Sequence, residues 1–200
     1  QKECKSIISM SQAQEILDFW FGSPDDPSYG KPRQIWFTKK PDFDQKLQTR
    51  FMKDYQKAAA GYLDEWIDLP ETCLALILLL DQFPRNMFRG TPEAFATDWE
   101  ALSAAQHAVA QGYDRELMPV QRWFIYCPFK HSENLEHQLK SVELFKKLSD
   151  DPDSASAIEY AIRHLEVIER FRRFPHRNAI LGRASTPEEI EFLLHPGSSF

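Results

Sequence analysis

The sequence predicts an all-α domain, and three observations carry that prediction. Helix-starting and helix-stopping residues recur along the 200 residues. Between them, apolar side chains fall three and four positions apart. No stretch joins period-two alternation of β-branched residues to a hairpin turn. Composition agrees: 15 Phe, 6 Tyr and 5 Trp among 42% apolar residues supply a core that a disordered chain would lack. A chain of this length suits one domain and needs no metal or disulfide to fold.

Residues 1–10 read as a flexible segment, with Met10 a candidate start, ahead of a single domain over 11–200. Ser11-Gln-Ala-Gln14 is a capping box leading into Ile16, Leu17, Phe19 and Trp20, and Gly22 stops that helix. Pro24, Pro27, Gly30 and Pro32 mark a loop. From Asp42 a second helix begins, with Phe43, Leu47, Phe51 and Tyr55 on one face and Gly61 closing it. Asp68-Leu-Pro70 places a cap and an early Pro before a helix over 71–82. Its LALILLL run (74–80) reads as buried on all sides and is far short of the roughly 20 residues that span a bilayer. Thr91-Pro92-Glu93 opens the next helix, which runs to Gly112. A short segment follows Pro119, and Ser132 caps a helix reaching Leu148. Asp151-Pro-Asp153 separates that from a long helix over 154–173. Thr186-Pro-Glu-Glu189, a capping box with Pro at the first helical position, opens a last helix ending before Pro196-Gly197. Phe83-Pro-Arg-Asn86 and Phe174-Pro-His-Arg-Asn178 echo one another, as stacked helical hairpins would.

Charge and cysteine usage narrow the function classes. A net charge of −6 argues against a dedicated nucleic-acid binder, whose affinity comes largely from neutralised phosphates. Cys4, Cys73 and Cys127 are odd in number and form no CxxC, so the chain reads as a reduced, cytoplasmic protein with no thiolate zinc site. Residues 1–9 are too polar for a signal core, and no segment suits a membrane. No cofactor fingerprint is present, and the 7 Gly of the chain offer no phosphate cradle.

Chemistry concentrates at three corners. The first is LDQFPRNMFRG (80–90), where a buried helix delivers Asp81, Gln82, Arg85, Asn86 and Arg89 into one turn. Asp81 either pairs with an Arg there or the Arg residues face an anion. The second is PFKHSENLEHQ (128–138). His131 precedes the Ser132 cap, and Glu133 and His137 stand at i, i+4 on one helix face, spacing that suits an ion pair or an oriented base. The run is not HExxH, so no metal is expected. The third is ERFRRFPHRN (169–178). After Lys147 every cation is Arg, the side chain whose fork matches carboxylate and phosphate. Arg170 and Arg173 share a face there, with His176, Arg177 and Asn178 turning back after Pro175. Upstream, His164 sits in a stripe with Tyr160, Val167 and Phe171, as a core histidine or a tunable acid–base group.

Five segments, ILDFWFG (16–22), LILLLDQFPRNMFRGTPEAFATD (76–98), PFKHSENLEHQ (128–138), RFRRFPHRNAILGRASTPEEIEFL (170–193) and the PGSSF tail (196–200), together resemble the bacterial domain-of-unknown-function 924 family. The resemblance implies an all-α fold, a tetratricopeptide-like superhelical array of antiparallel hairpins, and no particular activity. It also implies a Gly at the middle of the RF-x-RFPHRN word, where this chain has Arg172.

The expectation is an Arg/His-rich groove binding a small anionic carboxylate or phosphate ligand. Asp81, Arg85, Asn86, His137, Arg170, Arg173, His176, Arg177 and Asn178 would bind it, and His131, Glu133 and His164 would be the groups able to move a proton. The alternative is a tetratricopeptide-like scaffold whose Arg row binds a peptide or protein. No metal, cofactor, nucleic-acid or membrane partner is expected, and oligomeric state is left open.

Overall fold

The computed structural model describes residues 2–200, and the side chains of residue 7 and of 9–200; the side chain of Cys4 lies outside them. Among the described residues the chain is all-α, with no strand. Helix α1 (Lys2–Phe21) begins well before Ser11. Nothing from 2 to 21 breaks a helix, so it runs through the Ser11 box, and Gln14 bonds forward to Asp18 at 2.7 Å. It ends at Gly22, which takes the left-handed φ of 89°. The second helix, α2 (Pro41–Ala59), buries Leu47, Phe51 and Tyr55 as their spacing predicts.

The apolar run does not stop at Gln82. Helix α3 (Pro70–Ile77) passes into a π turn (Leu78–Gln82) and on into α4 (Phe83–Met87). Pro84 accounts for the widened turn. It lacks an N–H, and in a regular helix its ring would strike the carbonyl of Leu80. The wider turn instead closes from Phe83 N–H to the Leu78 carbonyl. The freed Leu80 carbonyl accepts the Thr97 hydroxyl at 2.6 Å. That bond also explains the next departure. Pro92–Phe95 form only a 3-10 turn, Thr97 is drawn inward, and α5 (Asp98–Gln111) starts there instead of at Pro92.

After Pro119 stands a full helix, α6 (Pro119–His131), instead of a short segment. Val120, Trp123, Phe124, Ile125, Tyr126, Cys127 and Phe129 are all buried, so the sequence shows no one-sided stripe, and Pro128 lies inside the last turn. Asn134, not Ser132, caps α7 (Leu135–Lys146), accepting from the N–H groups of Glu136 and His137. The buried Gln138 amide donates to the carbonyls of Lys130 and Ser132, closing the end of α6. Helix α8 (Ala155–Phe171) follows. The capping box at Thr186 opens α9 (Pro187–Leu193) with both of its bonds made.

α3 sits at the centre, packed on α1, α5 and α6; α4 lies on α2, α5 on α6, α6 on α7, and α7 on α8. Trp20 meets Trp36, Phe83 and Phe124 at 5.4–6.3 Å. A smaller cluster of Val167, Ile168 and Phe174, with Phe171 and Phe192 against it, anchors the C-terminal region.

Arg172 closes α8 at φ 62°, the one non-glycine with positive φ among the described residues. A side chain there costs about 1–2 kcal/mol, and helices commonly end this way with Gly. Arg172→Gly is therefore expected to stabilise the protein by about 1 kcal/mol, raising the melting midpoint by about 2–4 °C. A midpoint that fell would show that the Arg172 side chain makes compensating contacts.

Candidate functional site

Four pieces of chain bring charge to one place. The π turn buries Asp81 at 1% exposure, and α4 places Arg85 one turn on. α5 contributes its first residue, Asp98, and α6 its last, His131. The 3-10 turn after Phe174 (Pro175–Arg177) supplies Arg177. His131 Nδ1–H donates to Asp81 Oδ1 at 2.7 Å, and Arg85 reaches the same oxygen at 3.4 Å. The Arg85 fork then closes on Asp98 at 2.6 and 2.9 Å. Arg85 and Arg177 both lie over Phe95, 5.3 and 4.6 Å from its centroid.

Arg177 is paired least well. One terminal nitrogen donates to the His131 carbonyl at 2.9 Å, the other stands 4.0 Å from Asp98, and its buried Nε has no partner. Burial, then Arg85, pulls its pKa down to about 10, so it stays charged at neutral pH. Burial raises Asp81, against the pull of Arg85, Lys130 and Arg177. Burial, then Arg85 and Lys130, holds His131 well below its ordinary value. His131 is thus a neutral imidazole whose Nδ1–H is fixed by a carboxylate, which leaves Nε2 as a proton acceptor.

A cavity of about 270 Å³ opens beside this cluster. Its polar wall is Asp98, His131, Glu133 and Arg177; Phe95 and Trp99 stand on the apolar side. Glu133 is not on a helix face with His137, because α7 starts after it. Its carboxylate accepts the Phe174 N–H at 2.6 Å and both terminal nitrogens of Arg183 at 2.8 and 3.1 Å. Burial would raise its pKa, but Arg183 and that N–H outweigh it and hold Glu133 low. It braces the Arg177 turn, with its oxygens already occupied.

Of the other sequence candidates, two histidines lie behind the cavity. The His164 ring is 6.4 Å from His131, and its Nδ1–H donates to the Tyr160 carbonyl at 2.7 Å. Phe200, from the PGSSF tail, packs on His164 at 4.0 Å and on His176 at 5.8 Å. Burial holds His164 well below its usual value; burial and Arg177 bring His176 to about 4.

The remaining candidates are held elsewhere. Asn86 donates to Asp44, which also binds Arg89. Arg170 pairs with Glu188 and Arg173 with the buried Glu189. Asn178 donates to Ser185 and Glu189. His137 Nδ1 is engaged by Ser132 at 2.8 Å. Among the described residues no group of three His, Cys, Asp or Glu side chains is placed to hold a metal. Sequence reasoning missed Asp98, Phe95 and Trp99. The only cue was an acid at a helix start thirteen positions from Arg85, and such acids are common.

Comparison with known proteins fixes the lineage. The family profile described as "Bacterial protein of unknown function (DUF924)" matches residues 16–197. The chain belongs to that family. A solved structure of a protein of unknown function from Agrobacterium tumefaciens is similar at 39% identity with a TM-score of 0.82, covering 92% of this chain and 98% of that one. No curated protein matches the chain. Membership in DUF924 thus carries the fold, and the chemistry must be argued from side chains.

Proposed function

We propose that the cavity between α5, α6 and the Arg177 turn binds a small carboxylate or phosphate ligand, with the Asp81–His131 pair able to move a proton at it. One observation carries this: Arg177, 6% exposed on the cavity wall, has an unpartnered Nε and its nearest carboxylate 4.0 Å away. A buried guanidinium left short of partners is costly, and an anion in the cavity beside its terminal nitrogen would supply a second partner. The His131 Nε2 adds a base whose tautomer is set by Asp81. The modest volume favours a small molecule over an extended peptide, since drug-sized pockets run about 300–1,000 Å³.

Stacking of α5 on α6, α6 on α7 and α7 on α8 supports a tetratricopeptide-like array of antiparallel hairpins as the frame for this site. The free, buried Cys73 and Cys127 support a reducing, cytoplasmic setting. No described helix is long and apolar enough to cross a membrane.

Calorimetric titration with acetate, succinate and inorganic phosphate tests the reading. The wild type is expected to bind at least one of them. Arg177→Gln is expected to weaken that binding at least tenfold while the circular dichroism stays native. Arg177→Lys, which keeps the charge and loses the fork, serves if the Gln variant does not fold. Absence of binding to every small anion overturns the proposal.

A further inference from the structure

Trp99 is the feature of the cavity that anion binding does not use. It lines the same cavity as Arg177 and Asp98, yet it is 73% exposed. An exposed tryptophan stands at odds with a fold that buries Trp20 and Trp66 to 1% or less. Its position is supported from the side. The His137 ring lies 6.5 Å from it. His137 is in turn anchored by Ser132, whose hydroxyl accepts the Asn134 N–H at 3.2 Å and is hydrogen-bonded to His137 Nδ1 at 2.8 Å. The chain that closes α6 and caps α7 therefore also sets the His137 ring near Trp99.

Two recognition elements now line one cavity. Arg177 offers its charge and a terminal nitrogen 4.0 Å from its nearest carboxylate, and Trp99 offers a flat π-face. His131 lies on the same lining. The volume of about 270 Å³ leaves room for one ring and its acid. Pro128 and Leu102, also on the lining, present only apolar surface and compete for no polar group.

Resting on the anion reading above, we infer that the ligand is a single planar ring bearing a carboxylate or phosphate, its acid on Arg177 and its ring against Trp99, with His137 a positioning residue for Trp99. A flat conjugated ring gains from stacking on tryptophan what a puckered ring of the same size cannot.

The test is calorimetric titration of the full chain with four probes: benzoate, phenyl phosphate, cyclohexanecarboxylate and acetate. Benzoate or phenyl phosphate is expected to bind about tenfold tighter than cyclohexanecarboxylate, and the better of the two identifies the acid. Trp99→Ala, at an exposed position where folding is not at stake, is expected to erase that preference while acetate still binds. His137→Leu is expected to reduce it in part. If planar and puckered acids bind equally, or if the preference survives Trp99→Ala, the ring inference is overturned and anion binding stands. If no acid binds at all, both are overturned together.

Discussion

Asp81→Ala is expected to lower the free energy of unfolding by about 3–5 kcal/mol, read as a shift in the urea midpoint at unchanged slope. The magnitude follows from burial. Asp81 is 1% exposed and neutralises Arg85, whose side chain is itself 13% exposed. Removing the carboxylate leaves the guanidinium with Asp98 as its remaining carboxylate, beside the residue-81 backbone carbonyl at 3.0 Å, and strips the His131 Nδ1–H of its acceptor. It also leaves space in a turn already widened around Pro84. Asp81→Asn keeps the shape and a hydrogen-bonding oxygen, so it should cost less, about 1–3 kcal/mol. A loss under about 1 kcal/mol for the Ala variant would mean that the cluster balances its charge without Asp81.

Stability is expected to fall steeply as pH drops below about 6.5. His131, His164 and His176 are all held below that value by burial. Below pH 6.5 the unfolded chain takes up protons at these rings while the folded protein does not. The unfolded state then binds more protons, and stability decreases as pH falls toward each folded-state pKa. His176, depressed from 6.5 to about 4, alone accounts for about 3 kcal/mol across that window. Asp81, raised by burial, has the opposite sign and flattens part of the slope. Glu133 and Glu189, held low by Arg183 and Arg173 partners, steepen it again below about pH 4.5 as they are forced to protonate. Urea midpoints measured from neutral to mildly acidic pH check this, and His176→Gln should flatten the curve. A midpoint independent of pH over the histidine window would mean that the rings protonate in place.

What could be read from the residues follows a physical line. Local signals were readable: the Thr186 box, the Gly22 and Gly112 stops, and the Leu47–Phe51–Tyr55 stripe all act within a few residues. Signals that depend on tertiary surroundings were hidden. α6 is buried on every side and shows no period. The start of α5 is set by a carbonyl that Pro84 releases in another helix. The site divides the same way. Asp81, Arg85, His131 and Arg177 stand out as polar residues among aromatic ones, and the structure gathers them. Arg173, Asn178 and Glu133 carry the same polar signal, but partners far along the chain occupy them. Only distances between segments separate a free guanidinium from a braced one.

The π turn fixes the reading frame of the site. Each helical residue rotates the chain by about 100°. Deleting one residue between Leu78 and Gln82 would turn everything after it, Pro84 included, by that angle relative to α3. Arg85 would leave Asp98, Thr97 would lose the Leu80 carbonyl, and Phe83 would swing away from Trp20. The site and the central core therefore share one register, and changes of length in this segment cannot be absorbed locally as they are in a surface loop.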